Sequence, residues 1–274
     1  MKKMKSGSMR KTVVLLIAAA TSLCSCSREM VQEVPARAGT SLTISVPVSK
    51  TVLGEDTGSG HQLYWADGDR VAVNGAVSDA LSGVPAAATG ATFAFQDVLS
   101  APYSAVYPSD IWKSATQVLL PLKASDAIIP LCGASASGQL TLAALTSAVR
   151  VKVKSDGNHA HNIRRIEITS ADTQLSGVFD IDFAAATLAA TSSAGEDKRV
   201  CIEGDWPLSV TDPLDLVIPV PAGTYGITVK VLDVQGHFLT RETTSPKTFS
   251  AGTIKAFPEI LFTPTGTQFD ITID

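Results

Sequence analysis

The feature that most restricts this chain is two-residue alternation of apolar and polar side chains, repeated along most of its length. It is clearest after Leu140, where Val149, Val151 and Val153 face one way and Arg150, Lys152 and Lys154 the other. Ile166 and Ile168 then alternate with Arg165, Glu167 and Thr169, and Leu216, Ile218 and Val220 repeat the pattern, as do Ile227, Val229 and Val231. A period of two is a strand with one wet face. Earlier in the chain, Leu42, Ile44, Val46 and Val48 alternate with Thr43, Ser45, Pro47 and Ser49. Pro47 lacks a backbone N–H, so that strand is expected at a sheet edge or paired on one side only. Short strands are also expected at Leu63–Trp65, Arg70–Val73, Thr92–Phe95, Tyr103–Tyr107 and Ile260–Phe262, with Asn74-Gly75 as a hairpin turn. No helix of ordinary length is expected beyond the N-terminal segment, although Ser137–Ser147 has room for one turn or two. Strands at regular spacing, broken by Gly, Pro and Asn, indicate sandwiches or barrels. A change of composition near Leu140 marks the expected domain boundary.

The chain begins differently. Lys2, Lys3, Lys5, Arg10 and Lys11 precede an apolar run from Val13 to Ala20, and no acidic residue occurs before Glu29. That is an export signal; the run falls short of the roughly 20 apolar residues that cross a bilayer. Leu23-Cys24-Ser25-Cys26 resembles the lipobox read by the lipoprotein signal peptidase, which would cut between Ser25 and Cys26 and leave Cys26 acylated. Cys24 fits badly as the acylated residue, because Leu23 is bulky at the position before its cut. Residues 1–25 carry five basic and no acidic residues, so their removal takes the formal charge from −4 to −9. So acidic a chain is a poor partner for nucleic acid. Residues 26–40, broken by Pro35, are expected to be a flexible spacer. Of the four cysteines, only Cys132 and Cys201 would stay free after processing. Outside the cell they could form a disulfide, or stay as two buried free thiols.

Several segments together resemble the fimbrillin family of surface lipoproteins of Bacteroidales-type bacteria. They are the lipobox; Lys50-Thr-Val-Leu53 leading to Tyr64-Trp-Ala-Asp-Gly-Asp69; Tyr103-Ser-Ala-Val-Tyr-Pro108; the Ser147–Lys154 strand; Ile166–Phe183 with its Leu-Ser-Gly-Val-Phe core; and Pro221-Ala-Gly-Thr-Tyr225 with Val231-Leu-Asp-Val-Gln-Gly236. The resemblance implies an all-β chain of two tandem β-sandwich domains of transthyretin-like, Greek-key type, residues 41–142 and 143–274. It also implies a structural or accessory subunit of a fimbria at the cell outer membrane, acting in adhesion. Its partners would be other fimbrial subunits, the membrane through the lipid, and ligands on host or bacterial surfaces. In such fimbriae a protease trims the first strand, and a strand from the next subunit fills the groove. Here the removable strand would be Leu42–Val48 and the donor Phe269, Ile271 and Ile273, which alternate with polar residues at the chain end. The competing reading of that end is a terminal strand docked on its own fold. Arg37 precedes the removable strand, and Lys50 is the only basic residue between it and Trp65, so Arg-directed maturation does not fit well. Cleavage at Lys50, another protease, or an untrimmed anchor or tip subunit remain.

No reactive centre is expected. There is no G-x-S-x-G elbow, phosphate loop, C-x-x-C or H-E-x-x-H. His159 and His161 have the spacing of two ligands on one side of a strand. They lie beside Asn158 at an expected hairpin tip with no third ligand close in sequence, so they read as a solvated turn. Asp67 and Asp69 read as a tight turn, since the loop lacks the further oxygens that Ca²⁺ takes. Asp180 and Asp182 read as the wet face of a strand whose other face carries Phe179, Ile181 and Phe183. No metal or cofactor is therefore expected, and the chain is not read as an enzyme. Trp65, Trp112 and Trp206 read as core anchors; as a shared aromatic platform they would instead make the chain a glycan-binding outer-membrane lipoprotein.

Overall fold

The computed structural model describes residues 39–46 and 63–268, and within them the chain is almost entirely β. The only helical elements among these residues are two 3-10 turns, Ser109–Ile111 and Gly195–Lys198. Period-two alternation has become sheets that face each other across apolar layers, as in a β-sandwich. In the first half, a sheet of Gly90–Phe95, Thr40–Ser45 and Gln139–Thr141 lies over one built from Ala143–Ala144, Leu131–Ser135, Tyr103–Tyr107, Ala72–Val73 and Ala76–Val77. Leu42, Ile44, Phe93, Phe95 and Leu140 from the first sheet share one core with Val73, Ala105 and Leu131 from the second.

The second sheet is covered on its other face as well. Ala72, Val106 and Cys132, the alternate residues of its strands, meet Val118, Leu120 and Phe179. Those belong to a sheet of Trp112–Ser114, Gln117–Leu120, Gly177–Asp182 and Thr187–Ala190. The last two strands form a hairpin from much later in the chain, and its first strand pairs with Gln117–Leu120 from Gly177↔Leu120 to Asp180↔Gln117.

In the second half, Leu214–Pro221, Thr146–Ser155 and Ile254–Ala256 form one sheet, with Ile260–Phe262 also paired to Thr146–Ser155. It faces a five-stranded sheet of Arg199–Pro207, Asn162–Thr169, Thr228–Asp233, His237–Glu242 and Gly266–Thr267. Val149, Val151 and Val153 point into the core between them, as the alternation predicts, with Ile163, Ile166 and Ile168 opposite. Ile163 and Ile166 share a face although they are three residues apart, because a bulge between Ile163 and Arg165 shifts the register. On the outer face Arg150 donates twice to Asp215, at 2.8 and 2.6 Å. At the start of Thr146–Ser155 four consecutive residues are buried. Here Ala148 turns to the first-half core while Val149 turns to the second. The Pro221–Tyr225 turn is closed by the Tyr225 hydroxyl, which donates to the Pro221 carbonyl at 2.5 Å.

Three expectations need correction. The strand at Leu42 is not an edge strand; Thr40–Ser45 is the middle of its sheet. Its ladders end at Ser45, and Pro47 lies outside the described residues. Ser137–Ser147 forms no helical turn, because Leu140 and Leu142 enter one core at strand spacing. The bridge between Cys132 and Cys201 is not formed, and both are buried free thiols. Cys132 lies in the apolar layer against the Phe183 carbonyl, where burial, with Asp182 adding to it, pushes its thiol up to about 12. Cys201 lies among Arg165, Glu203, Glu167 and Lys123, its thiol raised chiefly by burial.

Phe179 is 2% exposed and joins the late hairpin to the first-half sheets. Phe179→Ala should lower unfolding free energy by about 3–5 kcal/mol, measured by urea denaturation.

Candidate strand-exchange groove

The N-terminal strand occupies a slot with two walls. Along one edge it pairs antiparallel with Gly90–Phe95, from Thr40↔Phe95 to Ser45↔Gly90. Along the other it runs parallel to Gln139–Thr141, through Thr43↔Gln139, Ile44↔Leu140 and Ser45↔Thr141. Alternation sends Leu42, Ile44 and Val46 inward, at 2%, 0% and 4% exposure, and leaves Ser41 and Thr43 in solvent. Burying three such side chains contributes about 1.5–3 kcal/mol each. The sum is of the order of a whole domain's stability, about 5–15 kcal/mol. Taking the strand out would leave two rows of unpaired N–H and C=O groups beside an apolar trough.

The motif Tyr64-Trp-Ala-Asp-Gly-Asp69 builds the floor of this slot. The Trp65 indole N–H donates to the Ile44 carbonyl at 3.2 Å. Its ring meets Phe93 and Tyr107 edge to face, with centroids 5.0 and 5.3 Å apart. The Tyr107 hydroxyl donates to Asp69 Oδ1 at 3.0 Å, and burial, reinforced by Asp69, holds that phenol above its ordinary range. Asp69 Oδ2 accepts from the Ala66 N–H and Asp67 Oδ1 from the Val84 N–H, each at 2.8 Å. Gly68 sits at φ +92°, where a side chain is disfavoured. The two carboxylates thus hold their own loop, as the turn reading expects.

Both ends of the strand are fastened. The Leu99 N–H donates to Thr40 Oγ1 at 2.7 Å, and the Val46 N–H to the Thr89 carbonyl at 2.8 Å. At Gly39 a Cβ would stand 2.1 Å from the Phe95 carbonyl oxygen, so only glycine lets the chain enter there unmoved. At the other end of the protein, Gly266–Thr267 pairs with His237–Phe238 on the outer edge of the five-stranded sheet. The Gln268 N–H donates to the Gly236 carbonyl at 2.7 Å. The chain therefore reaches its proposed donor segment from a sheet edge. Phe269, Ile271 and Ile273 lie outside the described residues, as do Ser25, Cys26, Arg37, Val48 and Lys50.

The remaining candidates are scattered. Trp65 is core, Trp112 packs on Phe183 at 5.6 Å, and Trp206 packs against the second-half core. They belong to three different clusters and make no common platform. Asp180 accepts from the Gln117 amide at 2.9 Å, and Asp182 accepts from the Ala184 and Ala185 N–H groups. The histidine pair departs from expectation. His159 is exposed, but His161 is buried, its ring edge to face with Phe262 at 4.8 Å. The turn ends sooner than the spacing implies, and His161 already belongs to the packed layer. It meets Asp233 and His237, which sequence spacing gave no reason to join to it.

No protein-family model matches the chain, and no curated protein matches its sequence. Solved structures do. A proposed cell adhesion protein of Bacteroides ovatus superposes with a TM-score of 0.50 at 12% identity, covering 87% of this chain and all of that one. The likeness is one of fold. A proposed cell adhesion protein of Bacteroides uniformis gives 0.45 at 12% identity, covering 84% of this chain and 96% of that one. A fimbrial protein of Bacteroides ovatus gives 0.33 at 13% identity, covering 80% of this chain and 48% of that one. No helix among the described residues is long and apolar enough to cross a membrane.

Ile44→Ala should lower stability by about 2–5 kcal/mol, whereas Thr43→Ala, on the wet face of the same strand, should stay within about 0.5 kcal/mol of the parent. Thermal and urea unfolding of the two variants would check the contrast.

Proposed function

We propose that this chain is a lipid-anchored surface protein of the fimbrillin type, a structural or accessory subunit of a fimbria assembled by β-strand complementation, acting in adhesion. One observation carries the proposal: the N-terminal strand is paired along both edges and, with Val46 directly after it, buries three apolar side chains. A cut at Lys50 would separate that strand from everything after it. The slot left behind would accept an extended amphipathic segment, its backbone completing two ladders and its alternate side chains refilling the trough. Phe269, Ile271 and Ile273 supply the required alternation, and the chain approaches them from a sheet edge.

The lipid on Cys26 would hold the precursor at the outer membrane until the strand is removed. Residues 26–40 would act as its tether, and residues 41–142 and 143–274 as its two domains. The Bacteroides ovatus protein of similar fold is described as a proposed cell adhesion protein, and adhesion is the role proposed here.

Deleting residues 267–274 should abolish polymer formation while leaving the precursor soluble, read by non-denaturing electrophoresis and electron microscopy of the assembled material. Unchanged polymers would defeat the proposal. Mass spectrometry of the surface-exposed protein separates the two subunit types: a start at Thr51 marks a trimmed subunit, and an acylated Cys26 an anchor or accessory one.

A further inference from the structure

We infer that His161, Asp233 and His237 form a binding site for a borderline divalent metal ion of the zinc type, with His159 completing the set. Asp233 ends the strand Thr228–Asp233, and His237 begins the next one after a tight turn with Gly236 at φ +89°. His161 immediately precedes the neighbouring strand Asn162–Thr169, in which Ile163 pairs with Asp233. One ligand atom from each of the three side chains lies within 4.8 Å of the other two.

The carboxylate is already aimed. Asp233 is fully buried, and its Oδ1 accepts from the backbone N–H groups of Gln235 and His237 at 3.0 and 2.7 Å. Oδ2 is left to face Nδ1 of His161 and Nδ1 of His237, each at 2.9 Å. A tetrahedral ion bound at about 2.0–2.1 Å sets its ligand atoms about 3.3 Å apart, so the two carboxylate–imidazole spacings need open by only a few tenths of an ångström, while the two imidazoles lie within 4.8 Å of each other. The His161 ring is held against Phe262 and stands edge to face with His237, centroids 6.1 Å apart. His159 lies on the open side, its centroid 6.1 Å from that of His161. It lines the same cleft as Asp156, Gln235 and Pro264, which is an entry path for an ion.

Imidazole nitrogen with a single carboxylate oxygen suits zinc and its transition-metal neighbours; calcium and magnesium want more oxygens. Three of the chain's four histidines line this one cleft, and His161 and Asp233 come together from positions 72 residues apart. Backbone donors fix the carboxylate that faces two of them, as expected where a site is organised before its ion arrives.

The test is titration of the purified full-length chain, stripped with EDTA, with zinc sulfate by calorimetry at neutral pH, and with cobalt(II) by visible absorption. One equivalent of zinc should bind, and cobalt should show the intense d–d bands of tetrahedral coordination without sulfur-to-metal charge transfer, which excludes the cysteines. His237→Ala should weaken binding at least tenfold. His159→Ala, an exposed change that leaves the fold intact, should weaken it several-fold. Binding of less than 0.1 equivalent, sulfur charge-transfer bands, or affinity unchanged in both variants would overturn the inference.

Discussion

A strand of six residues paired along both edges satisfies its backbone twice and its side chains once, and the first half of this protein is arranged to do so. Gly90–Phe95 and Gln139–Thr141 have no direct pairing with each other; Thr40–Ser45 is what makes them one sheet. Trp65 donates to that strand from below, and Tyr107 and Asp69 brace Trp65. The apolar core, the aromatic cluster and the Asp-Gly-Asp loop are therefore successive supports for one short segment near the start of the chain. A central strand is the costliest to remove and the most specific to replace, because a substitute must match two ladders and one set of alternate pockets.

The two halves are joined through strands with two apolar faces. Sheets wet on one side alternate cleanly, whereas a strand covered on both sides reads as a continuous buried run. Thr146–Ser155 changes from one pattern to the other along its length. The hairpin Gly177–Ala190 carries the same logic further, crossing from the second half to cover the open face of a first-half sheet, with Phe179 as its anchor.

Much of this was legible in sequence, for reasons particular residues make plain. Val149, Val151 and Val153 alternate because one face meets a core and the other meets water, so their strand and its inward face could be read directly. Asn74-Gly75 could be read because both residues take positive φ. The central position of Thr40–Ser45 could not, because sheet order is set by partners far away, and Pro47 pointed to an edge. The slot's floor was visible as the motif Tyr64–Asp69, but not its purpose, which depends on an indole reaching a carbonyl 21 residues earlier. The histidine cluster was hidden for the same reason. His159 and His161 are neighbours in sequence, while Asp233 and His237 join them only through sheet pairing. A local search for ligands stops at the hairpin tip.

The double pairing of the first strand has a mechanical consequence. Force directed along that strand runs parallel to both of its ladders, so the hydrogen bonds on the two sides share the load in shear and do not open one after another from an end. Its three buried side chains would have to slide past their pockets together. Resistance to such a pull is governed by the barrier to that concerted slip, so a segment seated in this slot would sustain tension far longer than one clipped to an outer rim.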